Sequence, residues 1–178
     1  AGAAAIEAFH TEAYVEKVIA LAEPGTGLLD AGDTPAFRGM YEASRFVAGS
    51  VLDGIDRILS DQCAQVFVPI AGLHHARRDS ASGFCVFNDC GIAIEALRRK
   101  HHIRKVAYID IDAHHGDGVF YAFEDDPDPY FVDFHQDGRK LYPGTGALGE
   151  IGTGDAVGTK MNVPMPPAAN DQLLMKFW

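Results

Sequence analysis

The run Tyr108-Ile109-Asp110-Ile111-Asp112-Ala113-His114-His115-Gly116-Asp117-Gly118 holds more chemistry than any other stretch of the chain. It begins among branched and aromatic residues, Val106 to Ile111, that read as a strand. It then enters a cluster of Asp, His and Gly. Asp110, Asp112 and His114 alternate, so an extended backbone would turn all three side chains to one face. Two carboxylates and an imidazole at the end of a buried strand are costly to desolvate unless something compensates them. A divalent metal ion is the simplest compensation, because carboxylate oxygen and imidazole nitrogen are zinc ligands. A solvated polar loop would explain a lone D-x-D. The longer D-x-D-x-H-H-G-D-G after an apolar strand favours the metal site.

A second cluster, Gly72-Leu73-His74-His75-Ala76-Arg77-Arg78, follows an apolar run, Gln65 to Ile70, that reads as a short strand ended by Pro69 and Gly72. That is the end of a strand where ligands bind in open α/β sheets. Taken alone, two loop histidines bonded to backbone explain it equally well; two such clusters after two strands favour function. His101-His102 reads the opposite way. It lies in Arg98-Arg99-Lys100-His101-His102-Ile103-Arg104-Lys105, where positive charge disfavours a cation, and it reads as a solvated helix end. Gly144-Thr145-Gly146-Ala147-Leu148-Gly149 satisfies G-x-G-x-x-G, but it follows a Tyr-Pro turn and opens no helix. It reads as a long loop with unusual backbone angles rather than a dinucleotide site.

The elements that would position these clusters follow from periodicity. Ala3 to Ala22 has helical spacing and stops at Pro24-Gly25-Thr26-Gly27. Leu28 to Pro35 reads as a loop, with Asp33-Thr34-Pro35 opening a second helix from Ala36 to about Leu59, loosened near Gly49 and Gly54. Ser80 to Asn88 is a loop, and Asn88 can cap a helix from Asp89 to Lys100. A short helix from Gly118 to Phe123 and a strand from Tyr130 to His135 follow the central run. The alternation predicts βαβ units, a parallel sheet and an α/β fold.

With 178 residues the chain is long enough for one domain with a real core. Its formal net charge of -10 argues against a general nucleic-acid binder. Cys63, Cys85 and Cys90 show no C-x-x-C spacing and read as buried free thiols in a reducing compartment. No apolar run approaches the roughly 20 residues of a membrane span, and Ala1 to Ala8 lacks the order of a signal peptide. A cytoplasmic protein is the expectation. Ala1 opens directly into helix-like sequence, and Asp171 to Trp178 closes on large aromatics. These ends suggest a fragment of a longer fold, or a chain that pairs there with a missing C-terminal half or a second copy.

Four motifs in order carry a family resemblance: Gly72-Leu73-His74-His75-Ala76, Ser82-Gly83-Phe84-Cys85, Asp110 through Gly118, and Tyr142-Pro143-Gly144-Thr145-Gly146. Together they resemble the histone deacetylase superfamily, in particular a bacterial branch with acetoin-utilisation proteins and acetylpolyamine amidohydrolases. The resemblance implies a parallel-sheet, three-layer α/β/α arginase/deacetylase-like fold, here incomplete. It implies one partial domain, residues 1–60 mainly helical and 61–178 an α/β core holding the metal site. It implies zinc on Asp112 and His114. His75 would be the general base toward a metal-activated water, held by Asp117, and His74 its neighbour, oriented by Asp110. Gly83, Phe84 and Tyr142 would line a narrow substrate tunnel. A monovalent ion, usually potassium, would use Asp110, Asp133 and Phe134 with backbone oxygens. Many members carry Ser where Asp133 stands, which would add negative charge.

The family's third zinc ligand and its carbonyl-polarising Tyr fall after Trp178, so two ligands are assigned where a catalytic zinc normally has three. The leading expectation is a zinc amidohydrolase acting on acetyl-lysine or an acetylpolyamine-type amine, small molecule or peptide, with neither nucleic acid nor membrane as a direct partner. A non-catalytic fragment or acyl-ligand-binding module is the alternative from another class. An arginase-like two-metal ureohydrolase is the alternative among enzymes, and the Ser82 to Cys85 loop speaks against it.

Overall fold

The computed structural model describes residues 1–178. The chain divides into two compact units, Ala1–Ile103 and Arg104–Trp178.

The first unit is helical: α1 (Ala3–Ile6), α2 (Glu12–Ala22), α3 (Met40–Leu59) and α4 (Asp89–His101). α3 packs on α2 and α4, and α1 on α4. Ile6, Phe9, Val15, Val18, Leu29, Met40, Phe87 and Ile92 form its core. The single helix expected over Ala3 to Ala22 is broken. Thr11 adopts an extended conformation, caps α2 by accepting from the Tyr14 N–H, and donates its own N–H to the Arg78 carbonyl at 2.8 Å. A cap and a long-range hydrogen bond here override helical periodicity.

The second expected helix also starts later, at Met40 behind Gly39, and then runs unbroken through Gly49 and Gly54. Asp33-Thr34-Pro35 does not open it. Asp30 folds that stretch into a tight loop instead, its Oδ1 accepting from the N–H groups of Gly32, Asp33 and Thr34. The strand expected over Gln65 to Ile70 does not form. No strand of the chain pairs with it, Phe67 and Ile70 are exposed, and Val66 packs over Gly54. An apolar run needs a paired neighbour as well as propensity.

The second unit carries the sheet: β1 (Val106–Asp110), α5 (Asp117–Ala122), β2 (Pro129–Gln136), a 3-10 turn (Gly154–Ala156), β3 (Lys160–Met165) and α6 (Asp171–Phe177). The three strands are parallel, in the order β1-β2-β3. Val106 pairs with Pro129 and Asp110 with Asp133; Phe131 pairs with Lys160 and Gln136 with Met165. The sequence does not announce β3, because Lys160 and Asn162 interrupt an apolar pattern already shortened by two prolines, Pro164 and Pro166. Val119, Phe120, Phe123 and Phe131 fill the core of this unit. Lys160 is buried, its ammonium donating to the carbonyls of Asp126 and Pro129 and to the Thr159 hydroxyl. Burial holds its pKa below the ordinary lysine range. The α/β class and the parallel sheet are those expected from the sequence.

Candidate functional site

Two clusters hold the chemistry, each built within one unit. In the second unit β1 ends at Asp110, so the alternation through Asp112 and His114 does not continue as a strand. Asp110 is buried and inward, its Oδ1 accepting from the Asp112 N–H at 2.9 Å and its Oδ2 from the Tyr108 hydroxyl at 2.6 Å. The chain turns over that carboxylate and brings Asp112 and His114 together on the outside. Asp112 Oδ1 lies 2.9 Å from His114 Nδ1 and 2.8 Å from the His114 N–H. Both side chains are open to solvent, at 53% and 40%. Thus the three residues expected on one face divide into one buried organiser and two presented donors.

A carboxylate oxygen and an imidazole nitrogen this close can share one cation, and the donor types suit zinc. No group of three or more His, Cys, Asp or Glu residues forms around them. Tyr142 stands beside His114, ring centroids 6.3 Å apart, and is itself 41% exposed. Asp117 is buried at the first position of α5.

Behind the donors, β2 supplies a buried polar core. Asp133 and His135 have no exposed side-chain surface, and His135 Nδ1 meets Asp133 Oδ1 at 2.8 Å. The other Asp133 oxygen accepts from the Gly116 N–H, which ties β2 to the start of α5. His135 Nε2 reaches the Gly146 carbonyl at 2.9 Å, and His115 Nδ1 the Thr145 hydroxyl at 2.8 Å. Gly146 has φ +83, and a Cβ there would overlap both imidazole rings. The glycine-rich tract is a loop as expected, pinned by two histidines. Burial lowers the His135 pKa, but the Asp133 hydrogen bond and charge outweigh it and carry it above the ordinary value. Burial, then the neighbouring His135, pushes His115 down to about 4. Phe134, between the pair, is buried with its ring 5.7 Å from that of Trp178.

In the first unit His74 and His75 are each 5% exposed, and their Nε2 atoms lie 3.2 Å apart. A contact between two ring nitrogens takes one proton; if both carried N–H there, the hydrogens would collide. The Ser82 to Cys85 loop closes on itself through an isolated bridge. Gly83 and Phe84 both have positive φ, +53 and +66, and the Phe84 ring is 74% exposed. The Phe84 N–H donates to Thr34 Oγ1 at 3.2 Å, and that hydroxyl donates to Asp30 Oδ2. Asp30 is therefore a loop organiser. Hydrogen bonds from Thr34 and Gly32 outweigh its desolvation and hold its carboxyl well below the usual range. His101 sits against Asp56, and His102 ends α4 with positive φ, as expected of a helix end. None of the three cysteines is in a disulfide.

The sequence marks Asn88 only as a cap, and it gives no site role to Asp89, His10, Thr34 or His135, all of them buried and hydrogen-bonded. A signal existed for His135, since i and i+2 on a strand share a face with Asp133. None existed for His10, whose partner Asn88 lies far along the chain.

The histone deacetylase domain family matches residues 1–178. The acetoin utilization protein AcuC of Bacillus subtilis is 39% identical over 176 residues, covering 95% of this chain and 45% of that protein. Histone deacetylase 14, chloroplastic, of Arabidopsis thaliana is 36% identical over 91% of this chain and 40% of its own length. Among solved structures, an HDAC homolog from Aquifex aeolicus superposes with a TM-score of 0.88 at 32% identity, covering 98% of this chain and 49% of that one. The chain thus spans about half the length of the relatives it matches.

Proposed function

Because this chain belongs to the histone deacetylase family, we propose that it carries the acid–base and two of the metal-binding residues of a deacetylase, an amidohydrolase that releases acetate from an N-acetylated amine. The observation that supports this reading best is the exposed Asp112–His114 donor pair, 2.9 Å apart above a buried carboxylate. Asp112 and His114 would hold zinc. Bound there, zinc would lower the pKa of a water toward about 7 and polarise the amide carbonyl.

The chain's own residues account for the rest. His75 would take the proton from the attacking water, and His74 would accept or return it at the shared Nε2 contact. Asp110 and Asp117, both buried, would fix the basicity and orientation of catalytic groups. The exposed Phe84 ring beside Gly83, and separately the Tyr142 ring beside His114, each offer an aromatic wall that would favour an unbranched methylene arm over a bulky one. Acetyl-lysine in a peptide and a mono-acetylated polyamine both carry such an arm. A potassium ion on Asp110, Asp133 and Phe134 would share the Asp133 carboxylate with His135 and the Gly116 N–H. The charge of Asp133 is met by His135, and each of its oxygens already accepts a hydrogen bond.

A second reading has its own observation. No third His, Cys, Asp or Glu joins the donor pair, so this chain by itself would bind an acyl amine without turning it over.

The test is deacetylation of an acetyl-lysine peptide and of N-acetylputrescine with added zinc, comparing the unaltered chain with His75→Ala and His114→Ala. Turnover abolished by both substitutions supports the amidohydrolase. Equal rates in the variants would sink it. Saturable binding without turnover supports the second reading.

A further inference from the structure

The histidine pair lies on a segment without regular secondary structure, yet its backbone is held from one side by two adjacent residues. Asn88 is fully buried. Its Oδ1 accepts from the Gly91 N–H at 2.8 Å, the ordinary work of an N-cap. Its Nδ2 donates to the carbonyls of Ala76 at 2.8 Å and His74 at 3.3 Å. Its own N–H donates to His10 Nε2 at 2.9 Å, so it is braced from behind. Asp89, 2% exposed, accepts from the Leu73 N–H at 2.7 Å and the Gly72 N–H at 2.9 Å. Two consecutive side chains thus fasten the backbone on both flanks of the pair.

Capping alone does not ask for these residues. Ser, Thr and Asp cap a helix about as well as Asn. Only a carboxamide accepts from the helix and donates to two carbonyls at once. Asp89, in the first turn, would suit the helix dipole facing solvent, but it is buried and spent on amides of another segment.

We propose that Asn88 and Asp89 are positioning residues for the His74–His75 pair. They set the backbone of Gly72 to Ala76 so that the two rings meet at Nε2. Neither touches substrate or metal in this role. The catalytic part of the inference rests on the reading of His74 and His75 as acid–base groups; the positional part does not.

The test uses the full chain and three substitutions. Asn88→Ser keeps a cap for Gly91 and removes both donors to the loop carbonyls. Asp89→Asn keeps the shape and turns one acceptor into a donor facing N–H groups. Thr11→Ala removes the cap of α2 and serves as the control for destabilisation alone. The imidazole nitrogens of His74 and His75 are followed by long-range proton–nitrogen correlation NMR. Asn88→Ser and Asp89→Asn are each expected to shift or exchange-broaden both Nε2 signals, whereas Thr11→Ala leaves them in place. Where the chain turns over acetyl-lysine peptide, kcat is expected to fall about 10-fold or more with KM within about 2-fold, the pattern of misplaced reacting groups. Unmoved Nε2 signals in a folded Asn88→Ser or Asp89→Asn chain overturn the proposal, as does movement of the same size in Thr11→Ala. Absence of turnover in the unaltered chain, with the Nε2 effects present, counts against the deacetylase reading alone.

Discussion

His135 and Asp133 lie two residues apart on one strand, and their side chains meet at 2.8 Å with no exposed surface on either. The second ring nitrogen of His135 faces a carbonyl oxygen. The carbonyl can only accept, so Nε2 donates to it; burial opposes an imidazolium, but the Asp133 hydrogen bond and charge on the other side favour it. His135→Phe strands a buried charge. It should cost about 3–5 kcal/mol, the range for breaking one side of a buried pair. The double variant Asp133→Ser/His135→Phe should recover part of that loss. Urea unfolding of the four corners of the cycle measures it, and strict additivity would show that the pair is not coupled.

A second prediction concerns acid. His10 is 2% exposed among Phe9, Tyr14 and Phe87, with Arg78 nearby, and burial first, then the Arg78 charge, push its pKa down to about 4 despite the facing carbonyls of Arg77 and Arg78. The unfolded chain takes up the proton near 6.5, the folded chain only near 4. In that window the unfolded state binds more protons, so stability is fully present above the unfolded value and falls as pH drops through the window. Between pH 7 and pH 5 the loss from this one group is about 2 kcal/mol. Urea midpoints at the two pH values check it, and His10→Gln should flatten the difference. Because His10 accepts from Asn88, the loss should begin next to the histidine pair.

Thr34→Val tests the support of Phe84. Thr34 is 2% exposed, and its hydroxyl is the acceptor for the Phe84 N–H. The bond is part-buried, so losing it costs about 1 kcal/mol, the net worth of an ordinary hydrogen bond. Phe84 would then have less to hold its positive φ. Thermal unfolding should show the loss, and amide exchange at Phe84 should speed up more than at Phe87.

Metal retention is the fourth prediction. Two donors hold zinc less tightly than the usual three. After dialysis against metal-free buffer the chain should keep well under one zinc, and His114→Ala should remove what remains. Mass-spectrometric metal analysis decides it. Close to one zinc per chain would mean that further donors are recruited.

Much of this was legible from the residues. The two clusters, the capped α4 and the order strand, helix, strand in the second unit follow from spacing and propensity. Ala3 to Ala22 and Gln65 to Ile70 each carry a sound local pattern that a longer-range bond, or the lack of a paired strand, overrides, while Asp33 to Pro35 yields to a nearby competitor, the Asp30 carboxylate. The Asp110 face failed likewise: the strand ends where the carboxylate finds the Tyr108 hydroxyl and the Asp112 amide. Partners far apart in sequence, such as His10 with Asn88, leave no periodic trace.

The strands of the second unit follow one another across the sheet in the order in which they occur along the chain. Each parallel pairing is closed by a crossover of about 20 residues, and loop-closure entropy grows only slowly with such lengths. β2 therefore needs only β1, and β3 only β2. Assembly can proceed as a zipper from Val106 onward, with each strand laid against the one just placed. The Asp112–His114 turn lies within the first crossover and the histidine-pinned glycine loop within the second. Laid down in that order, the Asp112–His114 turn would precede the loop that carries Tyr142.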